Sequence, residues 1–358
     1  MGDSSLQELR RRLFAGGVIP AHPLALTESG RFDPARQRLL TRYYLEAGAA
    51  GVAVGVHTTQ FAIREPEIDL LAPVLGEAIS VLDPWERDAG FRPLRIAGVC
   101  GRTVQACAEA EMARSLGYDA GLLSLSAYGE ESEASALEHC RRVAGSIPLF
   151  GFYLQPAVGG RRLSEHFWRE FCEIPEVVAI KVAPFDRYAT LEVLRAVAVS
   201  GRAKEIALFT GNDDAIGADL MTPFAFDTPW GSVSLRFVGG LLGQWSVGTR
   251  AAVSDCAAFR EAGDGAASGG LMGRAARITE VNAALFDAAH GFSGCIAGIQ
   301  YILWRQGLLR SPRTLDPNEH MSSGQEENLD ALREQNPDLF DEPWLAERLS
   351  RWREDYSD

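Results

Sequence analysis

Short apolar runs alternate with amphipathic stretches of helical period through residues 1–245. Apolar runs of this length are typical of strands buried on both faces, and apolar positions spaced three and four apart predict helices. The predicted strands are 16–23, 51–55, 94–99, 120–125, 148–154, 177–181 and 205–210, with 232–235 as the eighth. The predicted helices are 34–47, 65–82, 103–116, 132–144, 164–172, 188–199 and 213–220. This alternation predicts a parallel sheet covered by helices.

Eight strand–helix units in one chain favour the α/β TIM (β/α)8 barrel, here with a C-terminal helical extension. A doubly wound sheet is the alternative, but no G-x-G-x-x-G motif follows the first strand. We expect residues 1–245 to form the barrel and 246–310 a helical bundle packed on it, with helices at 275–289 and 295–306. Residues 311–358 are polar and Pro-punctuated, and predict a helical tail with surface helices at 328–335 and 343–353.

Charge and cysteine usage narrow the class of protein. The 358 residues carry a net charge of -13, which disfavours nucleic acid and anionic membranes as partners but allows a small anionic substrate. The six cysteines contain no C-x-x-C pair, and neither a signal peptide nor a membrane span is evident, so we expect a cytoplasmic protein. The six histidines lack metal-site spacing, and we expect no metal and no cofactor.

Lys181, one of only two lysines in the chain, closes the predicted strand 177–181. Burial favours the neutral form of an amine, and a neutral lysine is a nucleophile that forms Schiff bases with carbonyl compounds. The structural alternative is a lysine whose ammonium group reaches water at the strand edge. The scarcity of lysine adds little, because the whole composition is biased towards arginine.

Residues suited to chemistry follow several of the predicted strands at their C-terminal ends, where barrel enzymes carry their active sites. Besides Lys181 they are His57, Thr58, Thr59, Tyr128, Tyr153, Gly211 and Asp213. Each has a structural alternative, such as strand-end capping by the threonines, packing by the tyrosines, a structural histidine, or Asp213 as an N-cap. Together they offer an amine nucleophile, a phenol acid/base and a hydroxyl pair able to bind a carboxylate.

Three short segments contain these residues: Tyr153-x-x-Pro156, Ala179-Ile180-Lys181 and Thr58-Thr59. They resemble the dihydrodipicolinate synthase/N-acetylneuraminate lyase family of class I aldolases. The resemblance extends over about residues 15–315 and includes Ile96-Ala97-Gly98-Val99 and Thr210-Gly211-Asn212-Asp213. The lysine and the tyrosine at this separation are its specific part, whereas the glycine-rich matches are weak.

The resemblance implies roles for these residues. Lys181 would form an imine with a 2-oxo acid, typically pyruvate, and Tyr153 would act as general acid/base. Thr58 would relay protons, and with Thr59 it would hold the carboxylate of the acid. His57, Gly211, Asp213 and Tyr128 are the further expected substrate-binding residues. The family also implies a small-molecule 2-oxo acid as partner and a homodimer or homotetramer.

The chain departs from the family at several positions. The family's Gly-Thr-Thr-Gly-Glu segment is here 57–61, His-Thr-Thr-Gln-Phe, so both glycines and the acid are lost and the carboxylate pocket must differ in shape. Val158 stands where the synthase has a substrate-binding arginine, and Ala183 where the sialate lyase has a hydroxyl residue. These departures indicate neither the lysine-pathway synthase nor the sialate lyase.

Four functions remain open from the sequence. The leading one is a class I aldolase or lyase that cleaves or condenses a 2-oxo acid with an unidentified aldehyde. A dehydratase or hydratase of a 2-oxo sugar acid would use the same lysine imine. A non-catalytic small-molecule-binding barrel is the third, since a fold does not fix a function. A phosphate- or flavin-binding barrel is the fourth, although the glycines after the seventh and eighth strands are sparse.

Overall fold

The computed structural model describes residues 3–263, 265 and 267–356, which form two compact units. The first unit comprises the described residues within 1–17, 94–241 and 256–275. The second comprises those within 18–93, 242–255 and 276–358. The three-part division expected from the sequence stays a prediction.

The strands are β1 (Gly17–Pro20), β2 (Gly51–Val54), β3 (Leu94–Val99), β4 (Ala120–Leu123), β5 (Leu149–Leu154), β6 (Val177–Ala183), β7 (Ala207–Thr210), β8 (Phe224–Thr228), β9 (Gly231–Leu235) and β10 (Phe237–Leu242). The first helices are α1 (Asp3–Ala15), α2 (Pro34–Ala47), α3 (Leu71–Ala89), α4 (Thr103–Ser115), α5 (Glu133–Ala144), α6 (Glu165–Cys172) and α7 (Arg187–Val199). They are followed by α8 (Ile216–Met221), α9 (Thr249–Ala262), α10 (Gly269–Leu285), α11 (Cys295–Arg305), α12 (Gln325–Gln335) and α13 (Glu342–Asp355).

Eight of the strands form one sheet in the order β1-β10-β7-β6-β5-β4-β3-β2. Within the first unit the pairs from β3 to β7, and β7 with β10, are all parallel. Within the second unit a parallel bridge joins Ala21, just after β1, to Ala53 of β2. This order and the intervening helices confirm the predicted (β/α)8 barrel.

Residues 232–235 form a strand as predicted, but their assignment as the eighth strand of the barrel is wrong. Residues 232–235 belong to β9, which pairs antiparallel with β8 in a separate two-stranded sheet. The barrel strand is β10, whose Gly239 carries no side chain to signal a strand. A Cβ at Gly239 would lie 2.0 Å from the carbonyl oxygen of Gly17, so this close approach requires glycine.

Local signals explain several helix ends. Asp33 caps α2 by accepting a hydrogen bond from the backbone N–H of Arg36, and Gly48 ends the helix at φ 95°. The third helix begins at Leu71 rather than at the predicted Glu65, because the backbone of Asp69 has a positive φ of 45° and cannot continue a right-handed helix. The sequence did not predict α1.

The C-terminal helices lie close to their predicted positions, as α12 and α13. The indole of Trp352 on α13 is fully buried, with its ring centroid 6.2 Å from that of Tyr43 on α2. The carboxylate of Asp341 accepts hydrogen bonds from the backbone N–H groups of Arg250 and Ala251 at the start of α9. The tail is therefore packed into the second unit rather than lying on its surface. Within the described part of the chain, no helix is both long and apolar enough to cross a membrane.

Candidate active site

Lys181 lies inside β6, which continues two residues beyond it to Ala183. Its side chain is buried, with 9% of the residue exposed. Its register partner on β5 is Phe152, and Nζ lies 4.6 Å from the centroid of that ring. An aromatic face attracts a cation electrostatically, so the ring of Phe152 favours positive charge at this nitrogen. The sequence pattern did not mark Phe152 as a neighbour of Lys181, although Phe152 directly precedes Tyr153 on the same predicted strand.

Gly211 provides the space that Lys181 occupies. Its backbone N–H donates to the carbonyl oxygen of Val182 at 2.8 Å, which extends the pairing of β6 with β7. A Cβ at Gly211 would lie 2.5 Å from Cε of Lys181 and 2.7 Å from Cβ of Ala183. The structure thus brings the predicted nucleophile and Gly211 together, and the lack of a side chain at Gly211 leaves room for that of Lys181.

Tyr153 lies on the other face of β5 from Phe152, because successive side chains of a strand alternate. Its ring packs against Trp168 on α6 with centroids 5.1 Å apart. Its hydroxyl donates to the carbonyl oxygen of Leu163 and accepts from the N–H of the same residue, both at 3.3 Å. Burial raises the pKa of the Tyr153 phenol, so the group is protonated at neutral pH. The predicted acid/base role of Tyr153 stays a prediction.

The threonine pair lies in the 3-10 turn after β2, and both hydroxyls are engaged by the protein. The hydroxyl of Thr58 donates to the carbonyl oxygen of Ala21 at 2.8 Å, and that of Thr59 to His22 at 2.6 Å. The Thr59 hydroxyl also accepts from the N–H groups of Gly55 and Val56, at 3.0 and 3.1 Å. These bonds hold the turn against the segment that follows β1.

His57 and Gln60 flank the threonine pair, and each contacts a different part of the second unit. The ring centroid of His57 lies 6.0 Å from that of Phe61. Gln60 stands where the resembling family has glycine, and it keeps a positive φ of 67°. It is buried, with 4% exposed, and its Oε1 accepts from the N–H of Leu315 at 2.6 Å. The loss of the glycine is visible in the sequence, whereas the contact of Gln60 with Leu315 is not.

Tyr128 belongs to a polar network of its own. Its hydroxyl lies 2.7 Å from Oγ1 of Thr103, which lies 3.0 Å from Nδ1 of His139. The rings of Tyr128 and His139 stack with centroids 4.3 Å apart. Arg161 donates to the carbonyl oxygens of Tyr128 and Glu131, both at 2.6 Å, and so ties this loop to the segment after β5.

Asp213 is buried and is not the N-cap residue of the next helix, since α8 begins at Ile216 with Ala215 in that position. The buried carboxylate nearby is Asp219, which accepts from the hydroxyl of Thr210 at 2.6 Å and from the amide of Asn212 at 3.0 Å. Arg187 forms an ion pair with the same carboxylate. This network fixes the segment that contains Gly211. Among the described residues, no cluster of His, Cys, Asp and Glu side chains could hold a metal ion.

No protein-family model and no curated protein sequence matches the chain. Solved structures do match. Dihydrodipicolinate synthase from Acinetobacter baumannii, solved with pyruvate, has a TM-score of 0.71 and 20% identity, with 91% of this chain and 99% of that chain covered. Dihydrodipicolinate synthase from Oceanobacillus iheyensis has a TM-score of 0.72 and 17% identity, with 92% of this chain and 98% of that chain covered. YagE of E. coli K12 is a prophage protein of the dihydrodipicolinic acid synthase family and was solved with pyruvate. It has a TM-score of 0.68 and 17% identity, with 89% of this chain and 98% of that chain covered. The chain therefore has the fold of the dihydrodipicolinate synthase family.

Proposed function

We propose that this protein is a class I aldolase or lyase that forms a Schiff base between Lys181 and a 2-oxo acid of the pyruvate type. The observation that carries the proposal is the buried Lys181 on β6, with its Nζ over the face of Phe152 and its side chain accommodated by Gly211. Two of the structures that share the fold were solved with pyruvate, which supports this substrate class.

In the proposed reaction the neutral amine of Lys181 attacks C2 of the 2-oxo acid, and water leaves to give a protonated imine. The imine withdraws the electron pair of the C3–C4 bond, so an aldehyde departs and an enamine remains. Protonation at C3 and hydrolysis then release the shortened acid and the free amine. The face of Phe152 stabilises the positive charge of the imine.

Proton transfers are assigned by the resemblance. The Tyr153 phenol would protonate the leaving hydroxyl of the carbinolamine and then take the proton of the C4 hydroxyl as the C–C bond breaks. This role requires the phenol to leave its place against α6, on the face of β5 opposite to Lys181. Thr58 would relay protons, and Thr59, His57, Gly211, Asp213 and Tyr128 would bind substrate. If a C–O bond at C4 breaks instead, the same imine makes the protein a dehydratase. We further propose a cytoplasmic homodimer or homotetramer.

A non-catalytic binding barrel is the second candidate, and specific contacts favour it. The hydroxyls of Tyr153, Thr58 and Thr59 all donate to backbone carbonyls of the protein. A binding protein needs no mobile proton donors, whereas an aldolase must release at least one of these hydroxyls during the reaction.

Borohydride trapping separates the two candidates. The protein is incubated with pyruvate and borohydride, and the adduct is located by intact mass and peptide mapping. We expect one reduced adduct on Lys181, which Lys181→Ala abolishes. Lys204, the other lysine of the chain and an exposed one, is the matched control, and Lys204→Ala should trap normally.

The Tyr153→Phe variant tests the proton shuttle. It should still trap pyruvate but turn over roughly a hundredfold more slowly, a typical contribution of general acid–base catalysis. Absence of an adduct with pyruvate and with larger 2-oxo acids would refute the aldolase and leave the binding barrel.

A further inference from the structure

The segment between α11 and α12 of the second unit forms a cavity that contains none of the residues assigned to the proposed reaction. Its volume is about 530 Å³, within the range of small-molecule sites. Residues of this segment supply most of its walls, together with Gly30 and Ala297. Arg313 and His320 line the cavity and are exposed, so it opens to solvent and a ligand can enter.

Hydrogen bonds hold the loop that forms this cavity. The hydroxyl of Thr314 donates to the carbonyl oxygens of Asp316 and Glu319, at 2.8 and 2.9 Å. The backbone N–H of Leu315 donates to Oε1 of Gln60 at 2.6 Å, which ties the loop to the turn after β2 in the same unit. A site that is already ordered loses less conformational entropy when a ligand binds, so these bonds favour binding.

Two opposite charges line the cavity without neutralising each other. Within the part of the chain that the structure describes, neither the guanidinium of Arg313 nor the carboxylate of Glu319 forms a hydrogen bond or an ion pair. Burial raises the pKa of Glu319, and the neighbouring carboxylate of Asp316 raises it further. A cationic group beside Glu319 would offset both effects. A guanidinium, in turn, binds a carboxylate through two parallel hydrogen bonds.

Apolar side chains complete the cavity. They include Ala297 on α11, and Leu315 and Met321 on the loop. Apolar surface of a ligand gains free energy when it leaves water for such a wall. The cavity therefore offers one group for an anion, one for a cation and an apolar wall for the rest of the molecule.

We propose that this cavity binds a small zwitterion with an apolar side chain, whose carboxylate pairs with Arg313 and whose ammonium group pairs with Glu319. Amino acids of the leucine type have this chemistry. A ligand with only one of the two charges would serve only one of these two groups, so both charges are needed for full affinity.

The test measures binding to the full chain by ligand-observed NMR, with three probes of similar size. L-leucine carries both charges, 4-methylpentanoate lacks the ammonium group, and 3-methylbutylamine lacks the carboxylate. Leucine should bind roughly tenfold or more tightly than either analogue, because each analogue loses one charge-assisted interaction. Equal affinities for the three probes, or no binding of leucine, would overturn the inference.

Two variants test the two charges separately. Arg313→Gln should weaken binding of leucine and 4-methylpentanoate but not of 3-methylbutylamine. Glu319→Gln should weaken binding of leucine and 3-methylbutylamine but not of 4-methylpentanoate. Matched controls are Arg351→Gln and Glu347→Gln, which make the same changes at exposed positions of α13 and should leave all three affinities unchanged. If the controls weaken leucine as much as the cavity variants do, general electrostatic attraction holds the ligand and the cavity site is refuted.

Hydrogen exchange locates the ligand without any substitution. Leucine should slow amide exchange in residues 312–321 of the wild-type protein, because a ligand that holds the loop reduces its local opening. Slower exchange that omits 312–321 would place the ligand at another site and would also refute the assignment. Neither measurement uses Lys181, so failure here leaves the proposed Schiff-base chemistry standing.

Discussion

Replacing Gly211 by alanine should displace Lys181 and destabilise the first unit. The added Cβ would lie 2.5 Å from Cε of Lys181 and 2.7 Å from Cβ of Ala183. Ordinary contact begins near 3.4 Å, so Cε has to move by about 0.9 Å. The lysine side chain can move, but Ala183 is held by the backbone of β6, so the strand itself must also adjust. Overpacking of this kind costs about 1–3 kcal/mol.

The effect on chemistry should exceed the effect on folding. A misplacement of about 1 Å at a reacting group can cost on the order of a hundredfold in rate, so borohydride trapping of pyruvate should slow by roughly that factor. Urea denaturation and the trapping rate are measured for the variant and for Gly121→Ala. Gly121 lies on β4, and its new Cβ would lie 2.9 Å from Cγ2 of Ile147 and 3.0 Å from Cγ2 of Val99.

The control should lose a similar amount of stability but trap pyruvate at the wild-type rate. If Gly211→Ala matches wild type in both measurements, the close approach of Gly211 to Lys181 is refuted. Equal slowing of trapping in both variants would show that general destabilisation, and not displacement of the lysine, is the cause.

Two further predictions concern the second unit. Asp341→Ala removes the carboxylate that accepts from the N–H groups of Arg250 and Ala251, at 2.8 and 2.9 Å, and from the Tyr43 hydroxyl at 3.0 Å. It should lower the free energy of unfolding by about 1–3 kcal/mol, and an unchanged urea midpoint would contradict this. Burial lowers the pKa of His22 to about 4, whereas the unfolded side chain titrates near 6.5. The unfolded state therefore binds more protons between these values, so stability should fall by roughly 2 kcal/mol from pH 7 to pH 5. The free energy of unfolding should depend less on pH in His22→Gln than in the wild-type protein. It is measured by urea titrations at several pH values, and the same dependence on pH in the two proteins would refute the assignment.

Most of the barrel could be predicted because its signals are local. Apolar runs and helical periods mark strands and helices wherever they occur, and residues such as Asp33 and Gly48 end a helix through their own backbone and side-chain bonds. The eighth strand could not be predicted in this way. Residues 232–235 do form a strand, but pairing with β8 removes it from the barrel. Gly239 of β10 is favoured by a close contact with Gly17, which is distant in sequence.

The candidate site also has a part that the sequence predicts and a part that depends on tertiary structure. Sequence alone placed Lys181 on a buried strand and Thr58 and Thr59 directly after the second predicted strand. Tertiary structure decided which side chains share a face with Lys181, because the register of β5 against β6 pairs it with Phe152 and leaves Tyr153 facing α6. It also decided which polar atoms are engaged, since the partners of Thr58 and Gln60 lie far away in the chain. Residue type and local period follow from the sequence, whereas strand register and hydrogen bonds between distant segments exist only once the chain has folded.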